Sequence, residues 1–105
     1  MSELNELDAV VASILSYYPP KNIVLFGSRA KGTATKESDI DLCILYDRLP
    51  KRNVEVLQDL YKLVFSLPGQ AVDLLVYEAH QFSEKADRKG SLEQAIQREG
   101  EILYG

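Results

Sequence analysis

The stretch Leu25-Phe26-Gly27-Ser28-Arg29-Ala30-Lys31-Gly32, followed by Ser38-Asp39-Ile40-Asp41-Leu42, constrains this chain more than any other feature. An apolar run, Ile23 to Phe26, breaks off at Gly27-Ser28. Ten residues, Arg29 to Ser38, then separate that turn from an Asp-x-Asp at the head of a second apolar run. Alternate residues of a strand project from one face, so Asp39 and Asp41 are expected to leave one end of a sheet together. Two crowded carboxylates repel unless a cation lies between them, and hard oxygen ligands suit Mg²⁺. A glycine turn leading to free backbone N–H groups provides the complementary half, a seat for phosphate. The combination points to chemistry on a nucleoside triphosphate.

Other motifs built from these pieces fail on spacing. A Walker A loop needs Lys and then Ser or Thr after its second glycine, whereas Gly32 is followed by Thr33-Ala34. An EF-hand loop would place Asp or Asn at 43 and Gly at 44, where Cys43 and Ile44 stand. A phosphatase-type Asp nucleophile would follow an apolar strand, but the polar stretch Thr33 to Ser38 precedes Asp39. A bare Asp-x-Asp is more often a pair of solvated charges at a strand end.

What remains resembles the nucleotidyltransferase superfamily that includes DNA polymerase β, whose signature is Gly-Ser, a spacer of about this length and Asp-x-Asp. The run Gly27 to Gly32 is similar to the minimal nucleotidyltransferase subfamily of bacteria and archaea, in which Arg is commoner than Lys at position 31. The closing segment, Ile96 to Tyr104, also resembles the end of that subfamily, so the resemblance covers nearly the whole chain.

At 105 residues the chain reads as one domain, 1–105, large enough for a core but small for an enzyme with its own acceptor pocket. Its 46% hydrophobic and 27% charged content is ordinary for a soluble globular chain. A formal charge of −4 argues against a direct grip on nucleic acid, which needs a cationic face, and so against a polymerase. The single cysteine, Cys43, excludes an internal disulfide and fits a reducing cytoplasm. Met1 to Glu6 shows neither a basic segment nor an apolar stretch suited to export, and no apolar run reaches membrane-spanning length. A cytoplasmic protein is expected.

Leu4, Leu7, Val11, Ile14, Leu15 and Tyr18 recur at helical spacing, predicting an amphipathic helix over 3–18 that Pro19-Pro20 stops. Asn22 to Phe26 reads as a strand and Ser28 to Lys31 as one helical turn facing phosphate. Residues 39–46 read as a second strand, its continuous apolar remainder implying burial on both faces. Pro50 suits the first turn of a helix striped by Leu57, Leu60, Tyr61, Val64 and Leu67 and ended by Pro68-Gly69. Ala71 to Tyr77 is a third strand, and a short helix runs from Glu78 to about Arg88. Ser91-x-x-Gln94 is a capping box opening a last helix that carries Leu92, Ala95, Ile96 and Leu103. The expected fold is α/β (α+β), in two or three layers: a nucleotidyltransferase fold whose short mixed sheet of about three strands is flanked by helices.

Asp73 stands amid Val72, Leu74, Leu75 and Val76. It is either an edge-strand residue facing water or a buried carboxylate that needs a cation or hydrogen bonds, since burying it alone costs several kcal/mol. Gly27 would let a phosphate approach closely, and the Ser28 hydroxyl would bond a phosphate oxygen. Arg29 and Lys31 are surface charges or neutralise the triphosphate, and the sequence does not choose between them. His80 reads as a surface or capping residue and Cys43 as a small buried hydrophobe. Tyr17, Tyr18, Tyr61 and Tyr104 read as core or interface residues.

The resemblance implies more. It makes Asp39, Asp41 and Asp73 metal ligands and catalytic residues, and Gly27, Ser28, Arg29 and Lys31 nucleotide-binding residues. Two Mg²⁺ ions about 3.5–4 Å apart would hold the triphosphate and activate a hydroxyl. AMP would pass from ATP to that hydroxyl. The family's acceptor is a tyrosine on an all-helical HEPN-type toxin, with the transferase as antitoxin, so a hetero-oligomer or homodimer is expected. Two alternatives stay open: an antitoxin that blocks its partner by contact alone, and a small-molecule adenylyltransferase completed by a partner subunit.

Overall fold

The computed structural model describes residues 6–27, 30, 39–67 and 71–105. In chain order the elements are α1 (Glu6–Tyr17), β1 (Asn22–Phe26), β2 (Ile40–Tyr46), α2 (Asn53–Phe65), β3 (Val72–Glu78), α3 (Ala79–Ala86), α4 (Leu92–Glu99) and β4 (Glu101–Tyr104). The sheet order is β3-β2-β1-β4. β1 runs antiparallel to both β2 and β4, while β2 and β3 are parallel, as the intervening helix α2 requires.

Strand alternation sorts the sheet's side chains into two cores. Ile40, Leu42, Ile44 and Tyr46 of β2, with Ile23 and Leu25 of β1, pack against Val10 and Ile14 of α1 and Val56, Leu60 and Val64 of α2. On the other face, Val24, Cys43 and Leu45 meet Phe82 and Ala86 of α3 and Ile96 of α4. The architecture is therefore three-layered, and β2 is buried on both faces as its composition predicted.

Polar bonds lock the layers. The Tyr17 hydroxyl donates to Asp59 Oδ2 at 2.8 Å, and Lys51 Nζ reaches the same oxygen at 2.7 Å, tying α1 to α2. Along the outer edge of β3, Leu74 N–H donates to the Tyr61 hydroxyl at 2.9 Å and Asn53 Nδ2 donates to the Val76 carbonyl. These side chains of α2 occupy groups that an open sheet edge would leave to another chain. On the opposite face the Tyr77 hydroxyl donates to Glu93 Oε2 at 2.7 Å and pins α4 over β3.

Three expectations are corrected. Among the described residues the sheet has four strands where about three were expected, because Glu101–Tyr104 pairs with β1. Leu103 consequently lies in β4 and not in the last helix, which ends at Glu99. Pro50 precedes α2 instead of opening it: Arg52 is the cap, its amide donating to Glu55 Oε1 at 3.3 Å. The Ser91 cap is as expected, its hydroxyl oxygen accepting from Gln94 N at 3.0 Å, but Gln94 Oε1 accepts from Gly90 N rather than from Ser91. The expected helix residues before Glu6, the turn of Ser28 to Lys31 apart from Ala30, and Pro68-Gly69 lie outside the described residues.

The chain can swing from α4 into β4 because Gly100 has no side chain. A Cβ there would stand 2.5 Å from both the Ile96 carbonyl oxygen and Val24 Cγ1. Gly100→Ala should therefore cost about 1–3 kcal/mol by overpacking, read as an earlier urea midpoint. An unchanged midpoint would mean that β4 shifts freely.

Candidate active site

The parallel and antiparallel registers bring the acidic residues together. Phe26, the last residue of β1, is the cross-strand partner of Asp41, and Asp41 is the partner of Asp73. Ile40 and Leu42 are committed to the α1/α2 core, so Asp41 must leave by the opposite face, the one that carries Cys43 and Leu45. Asp73 leaves by that face too. Asp39, just before β2, and Asp73 are exposed, and Asp41 between them is partly buried. Asp73 is thus exposed on the edge strand and not buried among its apolar neighbours.

Crowding shows in the electrostatics. Burial, then the charges of Asp73 and Asp39, push the Asp41 carboxyl above the usual carboxylate range. A hydrogen bond to Asp73, open only to the protonated form, adds to the shift. Ionised Asp41 is therefore short of positive charge. A hard divalent cation fits this all-oxygen donor set, since it would reverse the cost of holding Asp41 ionised. Among the described residues no group of three His, Cys, Asp or Glu side chains stands at metal-holding distance, so a cation would have to draw the carboxylates inward.

Gly27 completes the arrangement for a reason the sequence did not disclose. Its φ is +75°, and a Cβ there would lie 2.3 Å from Asp41 Oδ2. The turn is thus pressed against the carboxylate, and only glycine fits. Ser28, Arg29 and Lys31 lie outside the described residues. His80 is exposed, 3.8 Å from Glu78 and on the opposite end of β3 from Asp73. Cys43 is fully buried, and burial pushes its thiol up to about 12, which suits packing rather than nucleophilic chemistry.

Sequence reasoning missed one feature beside these residues. Leu92 and Ala95, read as part of an apolar helix stripe, are exposed, and only Ile96 of that set is buried. With Phe26, Gly27, Ile96 and Glu99 they wall a cavity of about 130 Å³. No one-dimensional signal marks it, because its walls come from two strand and helix ends far apart in the chain.

A family model described as a nucleotidyltransferase domain matches residues 7–104, and the chain belongs to that family. It is a nucleotidyltransferase. The chain is 30% identical over 106 residues to a Methanocaldococcus jannaschii protein named as a candidate protein adenylyltransferase, covering 99% of this chain and 100% of that one. A second candidate protein adenylyltransferase from the same organism is 48% identical over 42 residues, 37% of this chain but 29% of its own length. Among solved structures, one described as a toxin–antitoxin with AMP-PNP is similar at 26% identity and a TM-score of 0.57, covering 97% of this chain and 74% of that chain. No helix among the described residues is long and apolar enough to cross a membrane.

Proposed function

We propose that this chain is a minimal nucleotidyltransferase that moves AMP from ATP to a tyrosine hydroxyl on a HEPN-type toxin, and thereby acts as a cytoplasmic antitoxin. The observation that carries the reading is the register Phe26–Asp41–Asp73 beneath Gly27. The candidate adenylyltransferase relatives and the structural neighbour with AMP-PNP support the nucleotide and the kind of acceptor.

Asp39, Asp41 and Asp73 would hold magnesium, Asp39 and Asp41 serving the triphosphate and Asp73 the acceptor. Bound there, the metal supplies charge neutralisation and a more acidic attacking hydroxyl. The chain's own groups do the rest. The Gly27 turn seats the leaving end of the triphosphate. Asp73, on the edge strand and exposed, faces the side from which an acceptor can come. The acceptor oxygen bonds to the α-phosphorus, the bond to pyrophosphate breaks, and the hydroxyl proton passes to the Asp73 carboxylate. Positioning and electrostatics account for catalysis. Tyr18 and Tyr104, 41% and 39% exposed, offer aromatic surface for the partner.

Intact-mass spectrometry of the cognate partner, incubated with ATP, Mg²⁺ and this protein, should show one or more AMP increments. Asp73→Ala should abolish them while leaving most of the ATP binding. A partner that stays unmodified yet is still neutralised, by wild type and Asp73→Ala alike, would replace the enzymatic reading with inhibition by contact.

A further inference from the structure

We propose that Phe65, carried with Tyr61 to the outer edge of β3, is the anchor on which the acceptor protein docks, taking an apolar side chain that stands a few residues from the acceptor hydroxyl. The inference rests on the reading of Asp73 as the acceptor side of the transfer site.

The aromatic pair is built into the fold. Leu57, Tyr61 and Phe65 follow one another at i, i+4 spacing and form one row along α2. The first two pack against the α1/α2 core, but Phe65 is 74% exposed. Its ring is nonetheless held, stacked on Tyr61 with centroids 5.4 Å apart and planes 25° apart. Tyr61 is fixed in turn, its hydroxyl accepting from Leu74 N–H at 2.9 Å. A lone exposed phenylalanine would need no explanation, since much of any protein surface is apolar. This one is pre-ordered on a bonded tyrosine, so a partner that covers it gains apolar burial at little cost in side-chain entropy.

Its place along the edge brings it toward Asp73. Asn53, at the start of α2, bonds to Val76, and Tyr61, farther along the helix, bonds to Leu74. α2 thus runs toward the beginning of β3, and Phe65 stands one more turn, about 5.4 Å, in that direction. Val72 and Leu74 point into the α1/α2 core while Asp73 leaves by the other face, so Phe65 and the Asp73 carboxylate flank the edge strand from opposite faces. A segment laid over that edge, at about 3.3 Å per extended residue, spans the two with a few residues.

Strand order decides the occupant. Asp41 and then β1, with its Gly27 turn, lie on the inner side of Asp73, and in the transfer reading that side belongs to the triphosphate. A hydroxyl brought to Asp73 by a separate protein therefore comes over the outer edge, where α2 presents Phe65. The Leu74 N–H and the Val76 carbonyl are already taken by Tyr61 and Asn53, so the acceptor segment cannot join the sheet there as a further strand. It must be gripped by its side chains. Exposed Asp39 and Asp73 repel an acidic residue beside the acceptor, whereas the stacked rings take an aliphatic or aromatic one. Tyr104, on β4 at the opposite edge of the sheet, is left to a different part of the partner.

Steady-state AMP transfer to the cognate HEPN-type partner, read by intact mass at varied partner concentration, tests the anchor. Phe65→Ala, at an exposed position with little risk to folding, should raise the KM for the partner at least about tenfold and leave kcat within about twofold. Phe65→Tyr keeps the ring and should restore most of the loss. Calorimetry with Mg²⁺ should find the ATP affinity of all three proteins within about twofold. An unchanged KM in Phe65→Ala overturns the anchor and leaves the carboxylate reading standing. A KM equally high in Phe65→Tyr overturns it as well. So does a raised KM accompanied by weakened ATP binding, since Phe65 would then support the site rather than hold the acceptor. Wild type that adds no AMP overturns the transfer reading and the anchor with it.

Discussion

Asp39→Asn combined with Asp41→Asn should eliminate magnesium-dependent ATP binding and lower AMP transfer by at least about 10³-fold, the scale on which loss of one preorganised electrostatic group is felt. The same variant should be at least as stable as wild type at neutral pH. Asp41 is the reason: burial and the charges of Asp73 and Asp39 raise its pKa on folding. Between the unfolded and the raised folded value, the folded chain holds more protons, so stability falls as pH rises through that window. Above it, ionised Asp41 is a fixed burden; as pH drops through the folded pKa, the burden is relieved. Wild type should therefore lag the variant in thermal midpoint at pH 7 and draw level in acid. Magnesium should raise the midpoint of wild type and not that of the variant, since only the former gains a ligand of its folded state. Equal ATP affinity in both proteins would remove the carboxylates from the site.

The acidic pair was legible in the sequence; its consequences were not. Asp-x-Asp at a strand head implies a shared face whatever the fold, because strand periodicity is local. That Asp73 joins the pair depends on β2 and β3 being parallel, which the helical stripe between them already implied. Which residue of β3 stands opposite Asp41 is a matter of register, and several neighbours of Asp73 are equally apolar, so only the assembled sheet decides. The pressure of Gly27 on Asp41 is likewise a tertiary fact that no residue near Gly27 announces.

The C-terminus shows a different limit. Ile96 and Leu103 are seven residues apart, two helical turns, and their apolar spacing continues the pattern of α4. What overrides it is Gly100, which lets the backbone fold back so tightly that Val24 fills the place of its missing side chain. A four-residue strand gains its stability from pairing with β1, and pairing is invisible to a window read along the chain. The cavity beside Phe26 follows from the same turn, because Gly100 fixes where α4 ends relative to β1.

Gly27→Ala should nearly abolish transfer, by at least about 10²-fold, while the chain still folds. Two costs add at this position. A left-handed backbone costs a residue with a Cβ roughly 1–2 kcal/mol, and here φ is +75°. The new methyl would also overlap Asp41 Oδ2, 2.3 Å away, so either the turn or the carboxylate must move. Partial burial and the nearby negative charges leave Asp41 few comfortable alternatives, and displacement should carry it out of the position in which it would hold a cation. A double-mutant cycle with Asp41→Ala separates the two costs. Removing the carboxylate frees the space, so the pair should be more stable than the sum of single effects predicts, by about 0.5–3 kcal/mol for groups in contact. Activity should not return, since the lost carboxylate is itself required. Additive stabilities would show that the glycine matters for its backbone alone, and that the turn and the carboxylate are independent parts of the site.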